Sequence, residues 1–125
     1  MPTRIQRRRT AGWRAPRDAA GRLPVYVGRG SRWGNPFPVV RHADGTYGVP
    51  ATQGQGTQWR TCDTATEARA EAVRLYRTWV ADRPWVANSA RRDLAGRDLM
   101  CWCPAPEPGW PDHCHGAVLL RLAAG

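Results

Sequence analysis

The stretch Asp63-Thr-Ala-Thr-Glu-Ala-Arg-Ala-Glu-Ala-Val-Arg-Leu-Tyr-Arg-Thr-Trp-Val80 decides the fold class of this chain. Thr64 and Glu67 have the spacing of a capping box, in which two side chains satisfy free backbone donors of the first helical turn. Apolar side chains then recur at steps of three and four residues, which predicts a helix with one buried face. The members of this face are Ala65, Ala68, Ala72, Val73, Leu75, Tyr76, Trp79 and Val80.

The chain after this helix alternates helical and extended signals. Asp82-Arg-Pro84 ends the first helix, and residues 85–95 are predicted as a second helix closed by Gly96, with Trp85 in the core. Residues 98–103 are predicted as a strand. Four prolines make residues 104–111 a rigid loop, because proline lacks the amide donor that helices and interior strands use. The last helix is expected over residues 113–123, with Asp112 as its N-cap.

The chain before this helix reads as short strands joined by turns. Residues 1–24 are expected to form either an arm or a strand with long turns, and residues 25–28 a short strand. A hairpin is predicted over residues 39–48, turning at Asp44-Gly45. Residues 48–62 are predicted to be a loose surface loop. The order of elements indicates an α+β fold with one small mixed sheet packed by about three helices.

Length and hydropathy bound the architecture. A chain of 125 residues forms one domain, here residues 1–125, around a single core. No apolar run approaches the roughly 20 residues that a membrane-spanning helix needs, so no membrane partner is expected. The basic N-terminus lacks the apolar region of a secretory signal, which favours a cytoplasmic location.

The positive charge is concentrated in one third of the chain. All 19 basic residues are arginine, against 10 acids. Residues 1–42 hold ten arginines and one acid, for a net charge of +9, while nine arginines and nine acids cancel in residues 43–125. Such asymmetry is typical of a phosphate-contacting face. Residues 63–125 then supply a helical, cysteine-bearing scaffold.

Two segments carry candidate residues for one anion-binding site, the arginine-rich N-terminus and a glycine-bearing loop that begins at Arg29. Glycines in the loop Arg29-Gly-Ser-Arg-Trp-Gly-Asn35 allow close approach of the backbone to a ligand. Arginines there can hold phosphate, Trp33 can stack on a base and Asn35 can bond a base or a water. The alternative is a turn whose Trp33 and Phe37 fill the core. The predicted binding residues are Arg7, Arg8, Arg9, Trp13, Arg29, Ser31, Arg32, Trp33, Gly34 and Trp102.

The cysteines form a second candidate site. Cys101, Cys103, Cys114 and His115 offer the ligand atoms that zinc prefers. On one regular strand, Cα atoms two residues apart are about 6.7 Å apart, whereas a tetrahedral zinc site needs sulfurs about 3.8 Å apart. The strand would therefore have to turn at Pro104. Two alternatives remain: Cys114 and His115 as a catalytic pair at a helix N-terminus, or cysteines as small core residues.

Glu71 is the candidate carboxylate. Of three glutamates, Glu67 is explained by the capping box and Glu107 by the proline loop. Glu71 is therefore a candidate general base or stabiliser of a sugar cation. Its alternative role is an ion pair with Arg74, three residues further along the helix.

Several motifs together resemble one family. They are Arg4-Ile-Gln-Arg-Arg-Arg-Thr-Ala-Gly-Trp13, Val25-Tyr-Val-Gly-Arg29, Trp33-Gly-Asn-Pro-Phe37, Ala72-Val-Arg-Leu-Tyr76, Leu94-Ala-Gly-Arg-Asp-Leu-Met-Cys-Trp-Cys-Pro104 and Cys114-His-Gly-Ala-Val-Leu-Leu120. The chain resembles, nearly end to end, the domain-of-unknown-function family 4326 of bacteria and their phages. It departs from that family in residues 48–62, which are longer and looser than expected.

A fainter similarity links the chain to the NADAR superfamily of N-glycosidases. The order of Trp33-Gly-Asn-Pro-Phe37, Asp44-Gly-Thr-Tyr47 and a helix bearing Glu71 is similar to theirs. Ala72 stands where the superfamily has the histidine of a Glu-His pair.

This similarity implies an N-glycosidase that releases the base of a nucleotide or removes a modified base from single-stranded DNA. Its catalytic candidates are Glu71 and Asn35, and no cofactor is required. Cys114 with His115 is a separate catalytic candidate, a thiol nucleophile paired with a histidine. The alternative function is a non-enzymatic nucleic-acid-binding module stabilised by zinc on Cys101, Cys103, Cys114 and His115. The sequence leaves the oligomeric state open.

Overall fold

The computed structural model describes residues 2–52 and 57–125. Within them the chain forms six strands and three helices. In chain order these are β1 (Arg4–Gln6), β2 (Val25–Tyr26), β3 (Val40–Arg41), β4 (Tyr47–Thr52), β5 (Thr57–Cys62), α1 (Ala65–Ala81), α2 (Pro84–Asp93), β6 (Leu99–Cys101) and α3 (His115–Ala124). The predicted α+β class and its three helices are confirmed.

The strands belong to two sheets rather than to one small mixed sheet. Strand β6 is the centre of a parallel sheet and pairs with β1 on one side and β2 on the other. Strands β3, β4 and β5 form a separate antiparallel sheet. Parallel pairing explains the difference, because strands far apart in sequence leave no local signal of their partner.

Helix α1 follows its sequence signals closely. The Thr64 hydroxyl accepts a hydrogen bond from the Glu67 amide, as the capping box predicts. The predicted face is buried at Ala68, Ala72, Val73, Leu75, Tyr76 and Val80, while Ala65 and Trp79 are half-buried. One half of this face packs on the antiparallel sheet and the other on α3, so α1 joins the two parts of the core.

Helix α2 is shorter than expected and its first turn is exposed. It ends at Asp93, and the chain then turns through Gly96, whose φ of +72° suits glycine. Trp85 is 61% exposed, so the prediction that it lies in the core is wrong. Position explains this: Trp85 follows Pro84 in the first turn, and Ala90 is the buried residue of the helix.

Residues 48–62, predicted to be a loose loop, are largely a β-hairpin. Strands β4 and β5 pair from Tyr47 with Cys62 to Thr52 with Thr57. Glycine and glutamine content suggested a loop, but Thr57-Gln-Trp-Arg-Thr-Cys62 is rich in strand-forming residues, and the hairpin packs on α1. Residues 53–56 lie outside the described part. The predicted turn at Asp44-Gly45 is confirmed, with φ of +89° at Gly45.

The basic N-terminal segment belongs to the core rather than forming a detached arm. Strand β1 pairs along its length with β6, from Arg4 with Leu99 to Gln6 with Cys101. Leu99 and Leu119, both fully buried, lie in the core cluster behind this sheet. Of the strand-or-arm alternatives for residues 1–24, the strand is correct. In the part of the chain that the structure describes, no helix combines the length and apolarity required to cross a bilayer.

Candidate metal centre and anion-binding cleft

A cleft of about 400 Å³ lies where the loop after β2, α1 and the two ends of the 101–114 segment meet. Its described lining includes three arginines and three cysteines: Arg9, Arg29, Arg69, Cys101, Cys103 and Cys114. No carboxylate occurs among the described residues that line it. We refer to this space as the cleft and to the three cysteines as the cysteine trio.

The cysteine trio has the spacing of a metal site. The Sγ atoms of Cys101, Cys103 and Cys114 all lie within 4.8 Å of one another, and those of Cys101 and Cys103 are 3.5 Å apart. Sulfurs around tetrahedral zinc are about 3.8 Å apart. The trio can therefore hold a metal ion, whereas the predicted fourth member, His115, lies outside the group of mutually close ligand atoms.

A bend after β6 brings the first two sulfurs together. The strand ends at Cys101 and the chain bends at Trp102 and Cys103, so the predicted strand over residues 98–103 is too long at both ends. Consecutive strand residues point to opposite faces, and residues two apart are too distant for one ion. The bend falls just before Pro104 and removes the geometric objection to a metal site.

The third cysteine caps the last helix. Helix α3 begins at His115 with Cys114 as its N-cap, and the Cys114 sulfur accepts a hydrogen bond from the Gly116 amide at 3.3 Å. The predicted start at His113 and the predicted cap, Asp112, are therefore wrong. The carboxylate of Asp112 is occupied by Arg4, which leaves the helix end to the sulfur.

His115 is buried and fixed in one tautomer. Its Nε2 lies 2.6 Å from the Val27 carbonyl oxygen, and because a carbonyl only accepts, Nε2 carries the proton. In the neutral ring, Nδ1 is then an acceptor, 3.9 Å from the Cys114 sulfur. The His115 ring thus contacts the Cys114 sulfur through Nδ1 and is held in place by the hydrogen bond from Nε2 to the backbone.

Arg4 fastens the cysteine loop to the sheet. Its guanidinium forms a bidentate pair with the Asp112 carboxylate, at 2.8 and 2.6 Å, with only 2% of the side chain exposed. It also donates to the backbone carbonyls of Cys103 and Pro104. A single side chain of β1 thus ties together the two chain segments that carry the trio.

The close packing of the thiols alters their acidity. Hydrogen bonding to Cys103 and Cys114 lowers the pKa of Cys101. The same hydrogen bonding to Cys101 raises the pKa of Cys103 to about 11 and raises that of Cys114 as well. A thiolate at Cys101 makes ionisation of Cys103 and Cys114 less favourable, because neighbouring thiolates repel. A bound cation relieves that repulsion.

Trp102 lies close to two cationic side chains at the cleft. The guanidinium carbons of Arg7 and Arg9 lie 4.9 Å and 4.5 Å from the centre of its ring. The Arg7 group also lies 5.3 Å from the centre of the Tyr26 ring. These contacts place Arg7, Arg9 and Trp102, three of the predicted binding residues, on one surface.

Only part of the glycine-bearing loop faces the cleft. Arg29 is exposed and lines the cleft. Trp33 is buried at 6% exposure in the core, which contradicts its predicted stacking on a base and supports the core-filling alternative. Gly34 serves the chain itself, since a Cβ there would lie 3.1 Å from the Gly28 carbonyl oxygen.

Two further polar side chains of that loop are engaged within the protein. The Ser31 hydroxyl donates to the Gly28 carbonyl. Arg32 pairs with Asp93, whose pKa is lowered to about 2 by hydrogen bonds from Arg92 and Arg32. Elsewhere, Arg8 is exposed and Trp13 half-buried, and neither is among the residues lining the cleft.

Asn35 borders the cleft, but its amide is committed to the fold. Its Nδ2 donates to the Ala72 carbonyl of α1, and its Oδ1 accepts from the Phe37 amide. Both hydrogen-bonding ends of the side chain are used, which fixes the loop against α1. A role of Asn35 in orienting a base or water would have to use the second Nδ2 hydrogen or the second Oδ1 lone pair, because each end already makes one hydrogen bond within the fold.

Substituting Asn35 with alanine is therefore expected to lower the free energy of unfolding by about 2 kcal/mol, because two hydrogen bonds of about 1 kcal/mol each are lost. Urea denaturation measures this change. Asn88→Ala on α2 is the control, because the Asn88 Oδ1 accepts a single exposed hydrogen bond, from Arg91, and it should change the free energy of unfolding by less than about 0.5 kcal/mol. Unchanged stability of the Asn35 variant would contradict the structural role.

Glu71 is outside the cleft and is already paired. Its carboxylate lies 2.5 Å from an Arg74 guanidinium nitrogen and 3.8 Å from one of Arg60 on β5. Hydrogen bonds from Arg74 lower the pKa of Glu71. The ion-pair alternative is thus the one observed, and Glu71 is not among the residues that line the cleft.

Two polar residues of the described cleft lining were absent from the predicted binding set. Arg69 lies one turn before Val73 on α1, and His113 precedes the N-cap of α3. The sequence did carry a signal for Arg69, because residues three and four apart on a helix lie on the same face, and Ala72 and Val73 also line the cleft. A smaller cleft of about 220 Å³, beside Trp110 and the proline loop, shares Arg69 and His113 with the first.

Fold and site together define a small α+β protein with a thiol-lined cationic cleft. The family model described as "Domain of unknown function (DUF4326)" matches residues 5–125, and the chain belongs to this family. Searches of curated proteins and of solved structures found no match. The fainter NADAR similarity is not supported by these comparisons and stays an expectation.

Proposed function

We propose that this protein binds a nucleotide or a single strand of nucleic acid in the cleft, with a zinc ion held by the cysteine trio. The observation that carries the proposal is the lining: three arginines, three cysteines and no carboxylate among the described residues of one concavity. Concave sites of roughly 300–1,000 Å³ suit small ligands, and the volume of about 400 Å³ falls in this range.

The charges support an anionic ligand. Arg9, Arg29 and Arg69 come from three different parts of the chain, yet they border the same space. Guanidinium groups bind phosphate with two parallel hydrogen bonds, and basic surfaces next to aromatic rings are typical of single-strand binding. Trp102 is the nearby ring, and a base that stacks on it must displace Arg7 or Arg9 toward the phosphates.

The soft thiol donors favour zinc among the common divalent ions. Three cysteines arranged by a bend and a helix N-cap form a site without any rearrangement of the backbone. Zinc would there fix the proline loop and α3 relative to the parallel sheet. The predicted cytoplasmic location is compatible with reduced thiols and remains part of this proposal.

Salt-dependent binding is the first test. Binding of a fluorescein-labelled single-stranded oligonucleotide to the zinc-loaded protein should weaken linearly on a log–log plot against salt concentration. Arg69→Gln should reduce the slope by about 0.7, the value for one phosphate contact in single strands. Fluorescence anisotropy measures both quantities.

Arg77→Gln is the matched control for Arg69→Gln. Arg77 is an exposed residue of α1 two turns further along and is not among the residues lining the cleft. We expect its slope and affinity to equal those of the unaltered protein. Absence of binding at low ionic strength, or equal effects of the two substitutions, would contradict the proposal.

Base release by an N-glycosidase remains a prediction for the same cleft. The reaction needs a group that stabilises a sugar cation, and Glu71, the candidate for it, is paired with arginines outside the lining. Incubating the protein with oligonucleotides of normal and modified bases, followed by mass spectrometry, tests it. A mass loss equal to one base would show the glycosidase, and bound but intact strands would favour the binding module.

A further inference from the structure

The cysteine trio supplies three ligands, one fewer than a closed tetrahedral site requires. We propose that the metal ion keeps its fourth coordination position open to the cleft and takes there a phosphate oxygen of the bound nucleotide or strand. This inference rests on the proposed function. It makes the metal part of ligand recognition rather than a purely structural support.

Among the described residues, no fourth ligand atom of a histidine, cysteine or carboxylate lies within 4.8 Å of all three sulfurs. In residues 2–52 and 57–125, the group of mutually close ligand atoms contains the three sulfurs alone. His115 donates through Nε2 to the Val27 carbonyl, and its Nδ1 belongs to no such group. Residues 53–56 are Gln, Gly, Gln and Gly, and they bring no cysteine, histidine or carboxylate.

The trio also faces the space that a ligand would occupy. All three cysteines contribute to the lining of the cleft, and Cys103 is half-buried rather than enclosed. Structural zinc sites are closed by four protein ligands, whereas sites with three protein ligands keep a position for water or substrate. The location of the trio on the wall of a concavity thus matches the second class.

The formal charges favour an anion at the open position. Three thiolates and a divalent ion leave one negative charge, and the three arginines of the lining exceed it. The cleft therefore remains positive after metal binding. When one oxygen of a phosphate binds the metal, the other oxygens of that phosphate remain free to accept hydrogen bonds from Arg9, Arg29 and Arg69. A monatomic anion on the metal has no further oxygens to offer these arginines.

The test uses the full chain loaded with cobalt(II), whose visible absorption reports the ligands around the ion. Sulfur-to-cobalt charge-transfer absorption should appear on loading, and adding inorganic phosphate should shift the ligand-field bands saturably. In Arg69→Gln the half-saturating phosphate concentration should rise about tenfold, because one charge-assisted hydrogen bond is lost. In Arg77→Gln it should be unchanged.

His113→Ala separates an open site from one closed by a protein side chain. His113 lines the cleft and is the remaining histidine near the trio. An unchanged phosphate-free spectrum in this variant supports the open position. The proposal is overturned by a changed phosphate-free spectrum, by bands that do not respond to phosphate, by equal responses of the two arginine variants, or by absent sulfur-to-cobalt absorption. Oligonucleotide binding by the zinc-loaded protein is measured separately. If binding persists while the cobalt spectrum does not respond to phosphate, the open metal position is wrong and the proposed function stands.

Discussion

Replacing Cys101 with serine is expected to lower the affinity of the protein for zinc by more than about 100-fold. Loss of a group that merely supports a ligand already costs about 10–100-fold in metal affinity, and Cys101 would itself be a ligand. Its sulfur is the shared neighbour in the trio, 3.5 Å from that of Cys103. Competition with a chromogenic chelator measures the zinc affinity directly.

The fourth cysteine of the chain provides the control for this substitution. Cys62 is half-buried on β5 and belongs to the cluster under the antiparallel sheet, away from the trio. Cys62→Ser should bind one zinc per chain with the affinity of the unaltered protein. If Cys101→Ser retained that affinity, or if both variants lost it equally, the trio would not be the zinc site.

The second large effect is expected from Arg4→Met, which should lower the free energy of unfolding by about 3 kcal/mol. The substitution removes a buried guanidinium, leaves the Asp112 carboxylate unpaired and strips two backbone carbonyls of their donor. Methionine keeps an apolar stem, which matters because the Arg4 side chain packs closely against Gly116. Urea denaturation of the metal-free protein gives the change without a contribution from zinc.

Arg22→Met tests whether burial is the reason for that cost. Arg22 also forms an ion pair with an aspartate, Asp18, but 47% of the arginine side chain is exposed. Exposed pairs contribute about 0–1 kcal/mol, so this variant should be nearly as stable as the unaltered protein. Similar losses in the two variants would show that Arg4 has no special role in joining β1 to the cysteine loop.

The elements that the sequence predicted well are those with local signals. Thr64 and Glu67 mark the start of α1, and Asp44-Gly45 marks the hairpin turn, because each signal lies within a few residues of what it specifies. The parallel sheet had no such signal. Its pairing of Arg4 with Leu99 joins residues that only the folded chain brings together.

The candidate site shows the same division. The members of the trio could be read from residue types, since Cys101, Cys103 and Cys114 were candidates from the start, together with His115. Their geometry depended on a bend at Trp102, which cysteine spacing does not encode. The ion pair of Glu71 with Arg74 is local and was the alternative predicted from the sequence, whereas its second cationic neighbour, Arg60, lies on a different element.

Aromatic residues illustrate why exposure was hard to predict. Trp33 lies between arginine and glycine in a loop and is nevertheless buried, while Trp85 lies in a helix and is exposed. Trp33 belongs to a core cluster that also contains Tyr76 and Leu119, which are distant in sequence. Trp85 belongs to neither of the two core clusters among the described residues.

Strand β1 has a consequence for how this protein can change. The arginine-rich segment begins with a strand that completes the parallel sheet and carries Arg4, so its charges are not an appendage that can be shortened freely. Arg7 and Arg9 follow within a few residues and reach Trp102 at the cleft. An insertion or deletion between β1 and these arginines would move the cationic groups relative to the cysteines. The positions of these cationic groups relative to the cysteines are therefore set by the register of a three-residue strand.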